Sequence, residues 1–499
     1  MHNRLLILVL GSFVYLLCLA VYSYSWALNS TDSGGWLAAT EQWIVPQPYG
    51  APLYILLGHA LNFLSPLTTA TNLSIFLSVI PATITIFLTY KTTLKLTGDK
   101  SIALISGLTL LGSAVFLSQA TTTMYRCLAT MFLTAAIYSY YSSSSKRPYL
   151  TMLLLSLGTA VHVIVGTITL LLLMWEWRNW RAWWKPCIVY GVIVAFSYSL
   201  ILILMWSDTP RLLAGGLNIE SIQGYWSTTS KAIVGTLSIY ELPERLGYDL
   251  RIIAISFGLA LIPIYIALRS LKANRYLLPL VIAPLYITWY MLTCLDVQTW
   301  TYLVFASPCL AVLAGCGMKK MIETEKFGGP SGTRWIMWGA VALIITNGIF
   351  LNANLLTHQR HKAQDYYEEL KALPDDSIVV VVPGPYSLGL FYEMTRNPQQ
   401  NLIPLVYPYI DDPTTYGMSD FRTWLEEEYD VDWDSEGFDT LDIVGEELSK
   451  NSDVFLAARD DSELDRCFVL EEVGDRVKRV IALTGEEPRP YMENGDEES

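Results

Sequence analysis

The chain reads as a polytopic α-helical membrane protein carrying a C-terminal α/β domain, on three observations. Hydrophobic residues fill 52% of 499 positions with a mean hydropathy of +0.36, more apolar surface than a soluble core of this length has to bury. Apolar runs able to span roughly 30 Å of hydrocarbon, about 20 residues of helix, recur along the chain up to Leu356. Charge is divided as well: residues 1–356 hold 21 Lys and Arg against 12 Asp and Glu, while residues 357–499 hold 12 against 34. The formal net charge of −13 is therefore a property of the C-terminal part.

Spans are expected near 4–27, 71–94, 101–119, 120–141, 187–206, 249–268, 276–294, 300–318 and 335–353. The first is longer than the apolar core of a cleaved signal peptide and reads as a retained anchor. Residues 50–65 are short and led by proline, which suits a segment lying in the interface. Residues 149–175 form either one long helix or two short ones meeting near His162. Cytoplasmic loops carry the excess of Lys and Arg, and this arbitrates. The basic clusters at Lys91/Lys95/Lys100, Lys146/Arg147, Arg178/Arg181/Lys185, Arg269/Lys272/Arg275 and Lys319/Lys320/Lys326/Arg334 all share a side with Arg4 on one condition. Residues 50–65 must stay out and 149–175 must cross twice. The result is about 11 transmembrane helices with the N-terminus cytoplasmic, and 16 of the 21 basic residues of this half on that side. A transmembrane domain over 1–356 then exposes external loops at 28–70 and 207–247 and sends the C-terminal domain outside.

The region 357–485 alternates apolar strands with polar helices. Strands are expected at 377–383, 401–408 and 454–459, helices at 385–394 and 421–429, and a hairpin in FVLEEVGDRVKRVIAL turning at Gly474-Asp475. Together they describe an extracytoplasmic acidic α/β domain, followed by a disordered acidic tail at 486–499. The 7 cysteines show no disulfide framework and no zinc spacing.

Asp32 stands just outside the first span in TDSGGWLAATEQWIVPQPYGAPLY, a segment poor in other charge. An ionisable group held at the membrane surface is a functional candidate by default, although Asp is also a favoured helix N-cap. The order of features resembles the GT-C superfamily of polyprenyl-phosphate-dependent glycosyltransferases, in the branch of protein O-mannosyltransferases and lipid A aminoarabinose transferases. Asp32-Ser33-Gly34-Gly35 is similar to the family's Asp-x-Gly-Glu element. Gln47-Pro48-Tyr49-Gly50-Ala51-Pro52-Leu53-Tyr54 is similar to its His-Pro-Pro-Gly-Tyr-Pro-Leu-Tyr element. Gly158-Thr159-Ala160-Val161-His162 resembles the run where two short helices meet. The resemblance covers about 320 residues of architecture and departs from the pattern at SQATTTMYR, where Thr122 and Thr123 stand in place of a second acid.

The resemblance implies a membrane glycosyltransferase, mannosyltransferase-like, that moves a sugar from a polyprenyl-phosphate donor to an extracytoplasmic protein, lipid or glycan acceptor of the cell envelope. Such transfer needs a base for the acceptor hydroxyl and cations for the departing phosphate. Asp32 is the expected general base. The expected donor-phosphate residues are Arg126, Arg211, Lys231 and Arg245, with Arg126 foremost because it opens a span. Glu41, Tyr49 and His162 are expected to contact substrate. Each has a plainer alternative: a solvated face for Glu41, an interfacial seal for Tyr49, a packed and hydrogen-bonded ring for His162, a snorkelling side chain for Arg126. No metal ligand set and no cofactor is specified, a divalent cation being compatible with the chemistry. The partners expected are membrane lipids and the lipid-linked sugar, not nucleic acid. A transporter or flippase of a lipid-linked saccharide, or a catalytically inactive GT-C-like partner subunit, remains open.

Overall fold

The computed structural model describes residues 2–22, 36–37, 40, 51–142, 147–206, 242–271, 274–293 and 299–323, with isolated positions in 335–346 and parts of 369–484. The chain divides into two compact units, Met1–Tyr24 with Gln47–Leu356, and Ser25–Pro46 with Thr357–Ser499.

The secondary-structure elements described in the first unit are all helices or helical turns. Its elements are α1 (His2–Tyr22), α2 (Pro52–Leu64), α3 (Thr69–Ser74), a π turn (Ile75–Val79), α4 (Ile80–Thr97), α5 (Lys100–Leu111), α6 (Ala114–Ala120), α7 (Arg126–Tyr140), α8 (Arg147–Val161) and α9 (Val163–Trp175). A 3-10 turn (Glu176–Asn179), α10 (Trp180–Trp206), α11 (Leu242–Phe257), a second 3-10 turn (Gly258–Ala260), α12 (Leu261–Arg269), α13 (Pro279–Thr293) and α14 (Leu303–Glu323) follow. Among the described residues three helical stretches, Thr71–Thr97, Asp249–Arg269 and Leu303–Glu323, are long and apolar enough to cross a membrane. The α5–α6 pair forms a fourth if its 67° bend is counted as one span. Helix α14 is the hub: it packs on α4, α5, α12 and α13, and 83% of its most apolar stretch is buried.

Side chains write most of the breaks between helices. Asp99 caps α5 by accepting from the N–H of Ser101 at 2.8 Å and of Ile102 at 3.2 Å. Ser113 caps α6, so the segment expected as a single span at 101–119 is two helices bent at Gly112-Ser113. The stretch 149–175 is the pair of short helices that loop charge favoured, α8 and α9, joined at His162. At 15 and 13 residues each is about 20 Å long. Gly158 lets them close, since a Cβ there would stand 2.9 Å from Val165 Cγ1.

In the second unit five strands form one mixed sheet in the order β2-β1-β3-β5-β4. They are β1 (Ile378–Val381), β2 (Ile403–Val406), β3 (Val454–Ala457), β4 (Phe468–Glu472) and β5 (Val477–Leu483). Strand β1 runs parallel to β2 and β3, and the antiparallel β4–β5 pair extends the sheet beyond β3. Helix α15 (Thr440–Ser449) packs on β3 and β5. The expected helices at 385–394 and 421–429 lie outside the described residues.

Candidate functional site

The site candidate is built where α6 turns into α7. Residues 121–125 are a buried turn, and a buried backbone must find partners for its carbonyls. Threonines supply them locally: Thr121 Oγ1 donates to the carbonyls of Leu117 and Ser118 at 3.3 and 3.2 Å, and Thr122 Oγ1 to that of Gln119 at 3.1 Å. Two donors arrive from elsewhere, the Tyr54 hydroxyl to the Thr123 carbonyl and Ser78 Oγ to the Met124 carbonyl at 3.3 Å. Of the two threonines that stand where an acid is expected, Thr122 thus satisfies the backbone. The Thr123 hydroxyl itself is buried with no hydrogen-bond partner among the described residues.

This turn delivers Arg126 to the first position of α7 with its side chain inside the protein, 3% exposed. Its Nη1 donates to Gln119 Oε1 at 3.0 Å, and the guanidinium lies 5.7 Å from the Tyr125 ring and 5.1 Å from the Tyr302 ring. His162 reaches the same place from the α8–α9 junction. Its backbone is extended, and Nδ1 accepts from the Ile164 N–H at 3.2 Å, so the neutral ring carries its hydrogen on Nε2. The imidazole stacks on Tyr125 at 4.8 Å and 24°, with Phe305 at 5.4 Å and Tyr302 at 5.7 Å. Tyr54 meets the edge of Tyr125 at 6.2 Å, and Tyr290 that of Tyr302 at 5.1 Å. The product is a permanently charged guanidinium in an aromatic box. In such low-dielectric surroundings a fixed positive charge attracts an anion far more strongly than it does in water.

Of the residues expected from sequence, the structure brings Arg126 and His162 together. Arg245 lies on α11, and its side chain is outside the described residues, as are Asp32, Glu41, Tyr49, Arg211 and Lys231. No cluster of three or more His, Cys, Asp or Glu that could hold a metal occurs among the described residues. The structure adds groups the sequence reading assigned no role. Tyr125, Tyr302 and Gln119 surround the guanidinium, and Asp249 is a buried carboxylate, 2% exposed, on α11, which packs on α6 and α13. Asp249 had a signal: an acid at the head of an apolar span is costly without a purpose. Gln119 and Tyr302 had none, being neutral residues joined to Arg126 only by folding.

No family model matches the chain, and no curated protein matches it in sequence. The fold resembles that of ArnT. ArnT from Cupriavidus metallidurans bound to undecaprenyl phosphate superposes with a TM-score of 0.54 at 13% identity, covering 94% of this chain and 98% of that one. The apo form gives 0.56 at 12% identity over 94% and 97%. The fold likeness covers 94% of this chain, where the sequence motifs at 32–35, 47–54 and 158–162 carried a resemblance of about 320 residues.

Proposed function

We propose that the chain is a membrane glycosyltransferase taking its sugar from a polyprenyl-phosphate carrier, in the GT-C branch that includes the aminoarabinose transferases. The observation that carries this reading is the fold likeness to ArnT bound to undecaprenyl phosphate, over 94% of the chain. The buried Arg126 supports it, because a lipid phosphate leaving with negative charge needs a fixed cation in a dry site.

In this reading the Asp32 carboxylate takes the proton of an acceptor hydroxyl, and the oxygen attacks the anomeric carbon. The bond from that carbon to the phosphate oxygen breaks with inversion, and the polyprenyl phosphate departs with the electron pair. Arg126 faces the departing charge, and its delocalised, always protonated guanidinium suits phosphate better than a lysine would. His162 Nε2–H and the Thr123 hydroxyl are neutral donors at the same place. Arg211, Lys231 and Arg245 belong to an external loop and the helix start that follows it, from which they close over the lipid head; Glu41 and Tyr49 contact sugar or acceptor. The acceptor is extracytoplasmic, on the same side as the acidic domain.

The test is sugar transfer in proteoliposomes, using a panel of radiolabelled polyprenyl-phosphate sugars with wild-type protein and Asp32→Asn. Transfer that disappears in Asp32→Asn, while the variant still folds and binds undecaprenyl phosphate, is the expected result. Turnover of a nucleotide sugar without lipid carrier overturns the donor assignment. Absence of transfer from every donor by correctly inserted protein moves the chain to the inactive-partner reading.

A further inference from the structure

The segment Glu176–Lys185, EWRNWRAWWK, has two faces of opposite character. Glu176 is the only acidic residue between Asp99 and Asp208, and it points inward, 5% exposed. Its Oε1 accepts from the Tyr140 hydroxyl, and its Oε2 from Asn179 Nδ2 at 2.9 Å and Trp183 Nε1 at 3.1 Å. Trp183 is buried and stacks on Tyr140 at 6.1 Å, so the carboxylate is walled in by the groups that bond it. The outward face keeps the cations. Arg178, Arg181 and Lys185 are exposed, interleaved with exposed Trp177, Trp180 and Trp184. Lys185 Nζ lies 5.4 Å over the Trp184 ring, and Trp177 and Trp180 are 6.2 Å apart.

The same helical face continues along α10. Trp180, Trp184, Ile188, Val192 and Phe196 follow at four-residue intervals, and all are exposed. No helix among the described residues covers this apolar stripe, and such an exposed face is the surface a lipid-facing helix presents. The change from bare aliphatic side chains to tryptophan and cations marks where hydrocarbon gives way to headgroups. At that level three cations, with no outward acid in the same segment, meet phosphate, and arginine binds phosphate with a bidentate fork.

We propose that this face is a binding site for the phosphate of an anionic phospholipid headgroup, held by Arg178, Arg181 and Lys185 with the tryptophan rings seated at the level of the lipid ester groups. The inward turn of Glu176 is part of the device, since an outward carboxylate among these cations would compete with the lipid phosphate. None of these residues belongs to the Arg126 cluster, so the site stands whether or not the chain transfers sugar.

Purified full-length protein in detergent, mixed with phosphatidylglycerol or phosphatidylcholine and analysed by native mass spectrometry, tests the proposal. Phosphatidylglycerol is expected to stay bound in preference to phosphatidylcholine. The triple variant Arg178→Gln/Arg181→Gln/Lys185→Gln is expected to lower its affinity on the order of a hundredfold, roughly fivefold per cation. A matched variant, Lys95→Gln/Lys100→Gln/Lys320→Gln, is expected to retain it. All three cations of the site are exposed, so thermal unfolding without added lipid stays unchanged and separates binding from folding. Equal retention of the two lipids by the wild type, or of phosphatidylglycerol by the triple variant, or equal loss in the matched variant, overturns the site. Displacement by inorganic phosphate in excess assigns the cations to a free anion and overturns the lipid.

Discussion

Replacing Arg126 by glutamine separates a functional guanidinium from a structural one. The change deletes a hydrogen bond from a charged donor, worth about 1.5–3 kcal/mol, and two cation–π contacts of about 0.5–1 kcal/mol each. It also removes the cost of holding a charge away from water, which in folded proteins is several kcal/mol. With Arg126 at 3% exposure the opposing terms are of similar size, so the unfolding midpoint in detergent should move by only a few degrees. Catalysis has no such compensation. If Arg126 faces the leaving phosphate as proposed, its loss is expected to cost on the scale of a deleted oxyanion-hole donor, about 2.7–4 kcal/mol, or about 10²–10³ in kcat. Arg126→Lys keeps the charge but loses the planar fork and the ring contacts, and should fall between. The assay pairs thermal unfolding with single-turnover transfer from a polyprenyl-phosphate sugar, both normalised to folded protein. An Arg126→Gln protein that unfolds far earlier, yet transfers sugar at the wild-type rate per folded molecule, would falsify the phosphate role and leave a packing role.

Three further expectations concern the scaffold. Tyr54→Phe strips a donor from the buried Thr123 carbonyl and should cost about 1–3 kcal/mol, read as a lower unfolding midpoint; an unchanged midpoint means the carbonyl finds another donor. Gly317→Ala places a Cβ 1.8 Å from the Pro263 carbonyl oxygen, a backbone clash between α14 and α12, and should destabilise by about 3 kcal/mol or more. Gly191→Ala, with nothing within 4 Å, is the neutral control, and equal effects of the two refute the close approach. A double-mutant cycle of Tyr140→Phe and Glu176→Gln should give a coupling of about 1–3 kcal/mol, and additive effects dismiss the buried carboxylate as an organising centre.

What sequence could and could not reveal follows from the range of each interaction. The junction at His162 was legible because a polar residue interrupts two apolar runs, and the imidazole then caps α9 locally. Strands β1, β2 and β3 and the β4–β5 pair were legible from β-branched apolar runs. The bend at Gly112-Ser113 was not, since neither residue lowers the hydropathy of a 19-residue window enough to break a span. The non-helical turn at 121–125 was legible only as a break between the spans near 101–119 and 120–141, its extent being hidden because its threonines are close to neutral on a hydropathy scale. Helix α15 carries a helical period in Leu441, Val444 and Leu448, and it went unread although that signal was present in TLDIVGEELS. At the candidate site, Arg126 and His162 announced themselves as charged or titratable groups in apolar surroundings. Tyr302, Phe305 and Tyr290 carry no such mark, because their role comes from packing against residues far away in the chain.

The threonine turn also bears on the absence of an acid there. A buried turn in a membrane domain has to satisfy its carbonyls with whatever its own side chains offer, and a carboxylate can only accept. An acid at 122 would therefore leave the Gln119 carbonyl without the hydroxyl it now has, while adding negative charge within about one turn of Arg126. Threonine does the reverse, donating to the backbone and leaving the local charge positive. A site meant to hold an anion at Arg126 gains from that exchange, whereas a site meant to place a second carboxylate beside the first would lose by it. On the proposed reading, the departure from the two-acid pattern leaves the cation that would face the phosphate undisturbed. Any further acid the proposed chemistry calls for has to come from another element, and Asp249 is a buried carboxylate on α11, a helix that packs against α6.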